Sequence, residues 1–63
     1  MKQIDDYEIL ENTSKYELEK EVIKYVNEKG YEILGSPFCR REKGLEGQKY
    51  DYICQAMVKY KED

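Results

Sequence analysis

The chain has 63 residues, of which 40% are apolar and 40% charged, and its 11 basic and 14 acidic side chains leave a net charge of −3. This size and balance predict one small folded domain over residues 1–63, and they argue against a nucleic-acid-wrapping protein, which would carry a basic excess. No apolar run is long enough to cross a bilayer, and the N-terminal residues lack the apolar stretch of a secretion signal. We therefore expect a cytoplasmic protein that associates with neither membranes nor nucleic acid.

The first half of the chain predicts a strand followed by a helix. Residues 7–10 combine β-favouring side chains with alternating charge, which is typical of a short strand. Over about residues 15–28, apolar side chains recur at helical spacing. Ser14 is predicted to begin this helix in a capping box with Glu17, and Gly30 to end it in the left-handed conformation. The predicted apolar stripe of the helix consists of Leu18, Val22, Tyr25 and Val26.

The second half predicts two strands joined by a polar loop. The second strand is predicted over about residues 31–40, where Pro37 would interrupt a ladder hydrogen bond and therefore implies a bulge or a sheet edge. Residues 41–48 are predicted to form the hairpin loop, and the third strand follows over about residues 49–60. The order β-α-β-β predicts an α+β fold, with a three-stranded antiparallel sheet and one helix packed on one face.

The register of the predicted hairpin assigns side chains to the two sheet faces. A hairpin centred near residues 46 and 47 would place Cys39 opposite Cys54, and side chains alternate between faces along each strand. This register predicts a flat apolar face suited to the helix and a second face with bulkier side chains. The face predicted to meet the helix contains Ile33, Gly35, Pro37, Cys39, Tyr52, Cys54, Ala56 and Val58. The face predicted to stay uncovered contains Leu34, Ser36, Phe38, Ile53, Gln55, Met57 and Lys59.

The third strand carries the main indication of function. A half-exposed strand should alternate apolar with polar side chains, but residues 53–58 stay apolar on both sides. One helix covers only one side, so the other leaves an apolar patch of about a few hundred Å², which marks an interaction surface. We predict a homo-oligomer, since symmetry supplies a second copy of the patch; the alternatives are a different protein partner or a terminus folded across it. The predicted interface consists of Leu34, Phe38, Ile53, Gln55 and Met57.

Three segments carry a resemblance to a known family. They are Tyr-Glu-Ile-Leu before the helix, Val-Asn-Glu-Lys-Gly-Tyr-Glu-Ile-Leu-Gly-Ser-Pro from the helix end into the second strand, and Tyr-Ile-Cys-Gln-Ala-Met-Val-Lys in the third. From Tyr7 to Lys59 the chain resembles the bacterial and phage family catalogued as domain of unknown function 1737. Tyr31 stands where that family has Trp, and Ser36 where it often has a second Gly. The resemblance implies a β-α-β-β domain and a bacterial or phage protein located in the bacterial cytoplasm, and it implies no known activity.

The residue types needed for common catalytic mechanisms are missing or scattered. The chain has no histidine, which excludes Ser-His and Cys-His arrangements and the commonest general base. Cys39 and Cys54 lack the further ligands of a structural zinc site; we interpret them as small strand residues, with a cross-strand disulfide under oxidation as the alternative. No pair of carboxylates is placed where burial would raise a pKa. We therefore predict no catalytic residues, no metal and no cofactor.

Four residues form a second candidate site, for a small ligand. Arg40 and Arg41 make the hairpin locally positive, which suits phosphate contact, and Tyr50 could stack on a base; the alternative is a solvated loop. Gln55 is a neutral amide within an apolar stretch, and its hydrogen-bonding groups need partners. We interpret it either as a bridge to Ser36 or strand backbone across an interface, or as a contact for a small polar ligand at a subunit boundary.

Two functions follow from these observations. The leading hypothesis is a non-enzymatic oligomeric binding module, in phages or bacteria an accessory protein that acts on a host partner. The second is a small-molecule sponge, in which an oligomer boundary encloses a nucleotide-like ligand.

Overall fold

The computed structural model describes residues 3–61 and contains one helix and three antiparallel strands. Along the chain these are β1 (Ile4–Asn12), α1 (Lys15–Lys29), β2 (Glu32–Lys43) and β3 (Lys49–Tyr60). β3 lies in the centre of the sheet, between β1 and β2. The predicted α+β class and β-α-β-β order are confirmed, although β1 and β2 are longer than predicted. The segment searched for a secretion signal includes residues 1 and 2, which lie outside the described residues.

Local sequence signals fix both ends of α1. The Ser14 hydroxyl accepts a hydrogen bond from the backbone N–H of Glu17 at 3.4 Å, as predicted. The reciprocal half of the capping box is wrong, because the Ser14 N–H donates to the side chain of Asn12 at 2.9 Å. At the other end Gly30 has a φ of 75°, the left-handed conformation predicted for it.

The core lies between α1 and one face of the sheet. Leu18 of α1 packs with Leu10 of β1, Met57 of β3 and Tyr31, which follows the helix. Val22, Tyr25 and Ile53 pack against this cluster at its margins. Because Ile53, Gln55 and Met57 share one side of β3, α1 covers the face that was predicted to be open.

The predicted hairpin register is wrong by one residue. Phe38 lies opposite Cys54, and Cys39 lies opposite Ile53. The shift follows from the turn, which centres the hairpin on residue 46 because the Gly44 N–H donates to the Gln48 carbonyl. Since side chains alternate between faces, a slip of one residue exchanges the two faces of a strand. This exchange is the reason why the side chains of β3 were assigned to the wrong faces, whereas Leu34 and Phe38 of β2 were assigned to the open face correctly.

β2 contains the bulge that its proline predicts. The register shifts between Leu34 and Phe38, so that residues 35–37 all stand opposite Gln55 of β3. Pro37 lies within this bulge on an edge strand, where its missing N–H removes no ladder bond. Because three residues of β2 stand opposite one residue of β3, Leu34 and Phe38 on either side of the bulge lie on the same face of the sheet.

Gln55 replaces the ladder hydrogen bonds that the bulge removes. Its Nε2 donates toward the carbonyl oxygens of Leu34 at 3.2 Å, Gly35 at 3.3 Å and Ala56 at 3.0 Å. Gln55 therefore bridges to strand backbone, as one of the two interpretations had it, but it does so within one chain. A buried amide in this position satisfies carbonyls that apolar neighbours would leave unpaired.

We expect Gln55→Met to destabilise the protein by about 1–3 kcal/mol, because a side chain of similar size leaves the bulge carbonyls without a donor. Urea unfolding followed by circular dichroism measures the change. The control is Gln3→Met, at an exposed glutamine outside the bulge and the hairpin turn; we expect its effect to stay below about 0.5 kcal/mol. Equal effects of the two substitutions would contradict this role of Gln55.

Candidate interaction surface

The sheet face turned away from α1 is apolar in its middle. It consists of side chains from all three strands, and we call it the open face. Its members are Tyr7 and Ile9 of β1, Leu34 and Phe38 of β2, and Cys54, Ala56 and Val58 of β3. Within residues 3–61 no helix or strand packs over this face.

On the open face, large side chains of the edge strands β1 and β2 lie on either side of smaller side chains of the central strand β3. Ile9 and Leu34 both lie opposite Ala56, so that they flank it from the two edge strands. Tyr7, Ile9, Leu34 and Phe38 are between 42% and 49% exposed, whereas the β3 side chains beneath them are buried. The large side chains shield the buried β3 side chains from water and themselves stay about half exposed.

A charged cluster bounds the open face at the end nearer the hairpin. Arg40 of β2 reaches across β3 and donates to the Glu11 carboxylate of β1 at 2.8 Å, and its Nη1 lies 3.3 Å from Glu42. Its guanidinium also lies 4.8 Å from the ring centre of Tyr52. The Glu11 carboxylate raises the pKa of Arg40. These contacts hold both edge strands to the central one and neutralise the arginine within the chain.

A shallow depression of about 420 Å³ lies where this cluster meets the apolar middle. Cys54 lies at its base, fully buried, with Sγ 3.8 Å from Glu11 Oε2. Burial raises the pKa of the Cys54 thiol, so it stays neutral. Cys39 is exposed and lies opposite Ile53, on the other face of the sheet. The alternative of a Cys39–Cys54 disulfide is therefore wrong for this fold.

The five predicted interface residues are divided between the two faces. Leu34 and Phe38 lie on the open face, as predicted. Ile53, Gln55 and Met57 lie on the face that α1 covers, and Met57 and Gln55 are buried there. The grouping is wrong because it depended on the one-residue error in register.

Sequence reasoning missed the contribution of β1 to the open face. Tyr7 and Ile9 alternate with Glu8 and Leu10, and Leu10 is the β1 member of the core. Alternation of this kind places Tyr7 and Ile9 on the face opposite Leu10. The alternation was visible in the sequence, but it assigns Tyr7 and Ile9 to the open face only once it is known that Leu10 meets the helix.

The four predicted ligand-binding residues do not form one site. Arg40 and Tyr50 lie on the side of the open face, whereas Arg41 and buried Gln55 lie on the other. Arg41 donates to Asp51, directly opposite on β3, at 2.9 Å, and this carboxylate raises the pKa of Arg41. Both arginines thus have carboxylate partners within the chain, and the nucleotide-like ligand has no shared set of contacts.

Residues 3–61 contain no cluster of three or more side chains able to hold a metal ion. In the same range there is no helix that is long and apolar enough to cross a membrane.

A hydrogen bond between two side chains beneath the end of α1 shifts the pKa of both partners. The Tyr31 hydroxyl donates to the Asp6 carboxylate, and this bond raises the pKa of Tyr31 to about 12. The same bond lowers the pKa of Asp6, which also accepts from the Tyr7 N–H at 2.9 Å. The Tyr31 ring packs edge-on against Tyr25, with centroids 5.1 Å apart. This pair ties β1 to the helix end and lies on the covered side of the sheet.

Comparison of the chain with protein-family models, with curated proteins and with solved structures gives no match. The resemblance to domain of unknown function 1737 therefore stays a prediction. A role for the open face has to be inferred from its own residues.

The Tyr31–Asp6 bond predicts how stability depends on pH. Because the pKa of Tyr31 is raised from 10.0 to about 12 in the folded protein, the contribution of the bond is complete below pH 10 and is lost as the pH rises toward 12. Because the pKa of Asp6 is lowered, the contribution also disappears in acid, below the ordinary pKa of a carboxyl group.

We expect Asp6→Asn to return the pKa of Tyr31 toward its ordinary value and to remove this alkaline loss of stability. An NMR titration of ring carbon chemical shifts resolves Tyr31 from the other tyrosines. The matched control is Asp5→Asn, at the neighbouring exposed position, which should leave the Tyr31 titration unchanged. A Tyr31 titration that is the same in Asp6→Asn and in the wild type would show that another group holds the phenol.

Proposed function

We propose that the protein is a non-enzymatic interaction module that self-associates through its open face. The observation that supports this is the half-exposed apolar frame of Tyr7, Ile9, Leu34 and Phe38, located on the one sheet face that α1 does not cover. A second copy of the chain is the occupant to which we commit.

The size of the open face matches one side of a specific interface. If a large side chain offers about 200 Å² when fully exposed, four that are roughly half exposed leave about 400 Å² of apolar surface. A standard interface buries about 800 Å² per partner, of which somewhat over half is apolar. The apolar share of one partner is therefore already present on this face.

The free energy of burying two such faces is sufficient for association. Removal of about 800 Å² of apolar surface from water contributes about 20 kcal/mol at 25 cal/mol per Å². Association costs about 4–15 kcal/mol in lost translational and rotational freedom. Ordering of the interface side chains and desolvation of the rim reduce the remainder further, so the apolar area supports association without setting its affinity.

The distribution of charge on the face also favours a second copy. The middle row, Ile9–Ala56–Leu34, contains no charged side chain, and the rows on either side of it contain Glu32 and Glu11. Glu32 lies at one end, and the Glu11–Arg40 pair at the other. An apolar centre with a charged rim is the usual anatomy of an interface, and a two-fold axis through the centre would bring like rows together without burying an unpaired charge.

We expect Phe38→Asp to halve the mass of the particle measured by light scattering after size exclusion, because the change removes a large apolar side chain from the contact and adds a carboxylate that must lose its water to be covered. Circular dichroism should be unchanged, since Phe38 is half exposed and does not belong to the core. The control is Tyr16→Asp, at an exposed aromatic residue on α1 that does not belong to the open face, and it should keep the wild-type mass. A wild type that stays monomeric at millimolar concentration would overturn the proposal.

A further inference from the structure

A fully exposed leucine occupies the tip of the β2–β3 hairpin. Leu45 has no neighbour that shields it from water. It stands in a turn in which the Gly47 N–H donates to the Gly44 carbonyl at 3.1 Å, followed by Gly47 at a φ of 86°. This combination is the common three-residue hairpin loop, in which a turn is followed by a left-handed glycine. The backbone therefore fixes the position of the leucine.

Side chains reinforce the same turn. Gln48 Oε1 accepts from the Glu46 N–H at 3.1 Å, and its Nε2 lies 3.4 Å from the Glu46 carboxylate. The Cβ that any other residue would carry at Gly44 would lie 2.6 Å from the Gln48 side chain, so the turn is closely packed on its inner side. The hairpin thus presents Leu45 from an ordered support, which lowers the entropic cost of binding through it.

An apolar groove of about 440 Å³ lies elsewhere on the molecule, between α1 and the bulge of β2. Its apolar lining comes from both elements and from the central strand, and it comprises Leu18, Val22, Ile23, Pro37 and Ile53. Gln55 also borders it, with its amide donors committed to the bulge carbonyls. Two charged side chains of the first helical turns, Lys15 and Glu19, complete the lining.

We propose that Leu45 of one copy inserts into this groove of a second copy, and that the exchange is reciprocal. The charges beside the two features are complementary: Lys15 and Glu19 border the groove, and Glu46 directly follows the leucine in the turn. The acid next to the inserted side chain, Glu46, then meets the groove lysine, Lys15. This pairing favours the hairpin tip of the same protein over an uncharged apolar occupant.

The geometry requires that the leucine come from another molecule. Leu45 stands eight positions after Pro37, which corresponds to about 26 Å along an extended strand. The antiparallel pairing of β2 with β3 over this stretch keeps the hairpin extended, and the molecule is 49 Å long. The tip therefore cannot reach its own groove. Two hairpins laid antiparallel satisfy both grooves at once, and a two-fold axis closes the contact.

This contact is separate from the open face, because the groove lies on the side of the sheet that α1 occupies. If both contacts form, each with its own two-fold axis, the simplest closed assembly is a tetramer of dihedral symmetry. Loss of either contact leaves a dimer.

The first test is Leu45→Asp, which should halve the mass measured by light scattering without changing circular dichroism. Leu45→Met, which keeps an apolar side chain at the tip, is the matched control and should keep the wild-type mass. Ile23→Asp, on the groove wall, should act like Leu45→Asp. If both aspartate variants keep the wild-type mass, the exchange does not occur.

Charge-reversal variants test whether Lys15 of one copy pairs with Glu46 of the other. Lys15→Glu and Glu46→Lys should each weaken the contact at least tenfold in dissociation constant, and the double variant should recover most of the loss. A double variant that is as weak as the singles would overturn the proposed pairing.

The open-face contact and the exchange of Leu45 are tested by different variants, so that one can be rejected without the other. An unchanged mass for Phe38→Asp rejects the open-face contact alone, whereas an unchanged mass for Leu45→Asp rejects the exchange alone. The combined variant should be a monomer.

If the wild type binds the apolar dye 1-anilinonaphthalene-8-sulfonate in the groove and Leu45→Asp binds no more of it, the groove is open in solution and the exchange is rejected in favour of a small-molecule site.

Discussion

The alignment of β2 against β3 decides which side chains meet α1 and which stay open. The three-residue turn fixes that alignment at one end of the hairpin, by pairing Gly44 with Gln48. The bulge opposite Gln55 adjusts it at the other end. Between them, Phe38 is brought opposite Cys54, and the apolar side chains of β3 are divided into a core row and an open row. A shift of one residue would exchange the two rows.

The same alignment explains why a polar side chain is buried in the centre of so small a protein. The bulge leaves the carbonyls of Leu34 and Gly35 without ladder donors, and the Gln55 amide supplies them. Burial of an amide costs free energy only when its groups stay unpaired. The amide therefore joins the irregular edge strand to the central one, and it does so beneath the groove that α1 leaves beside Pro37.

One helix above one face of a three-stranded sheet leaves apolar surface in two places. The open face is uncovered because nothing within residues 3–61 lies over it, and the groove is open because the bulge lies beside α1. In contrast, the charges that could have marked a ligand site are paired within the chain, Arg40 with Glu11 and Arg41 with Asp51. The two uncovered features of the fold are thus apolar, whereas these two arginines are neutralised by carboxylates within the chain.

The sequence by itself determined the elements, their order and the ends of the helix, because these depend on neighbours along the chain. Helical spacing, the Ser14 cap, the left-handed Gly30 and the bulge at Pro37 are local properties, and the structure contains all of them. It also determined that β3 is apolar on both sides. Only the tertiary structure decided which side α1 covers, since residues 53–58 offer apolar side chains to either face and the choice depends on a register set at a distant turn. The open face of Tyr7, Ile9, Leu34 and Phe38 therefore could not be assembled from the sequence, although each of its residues could be placed on a strand.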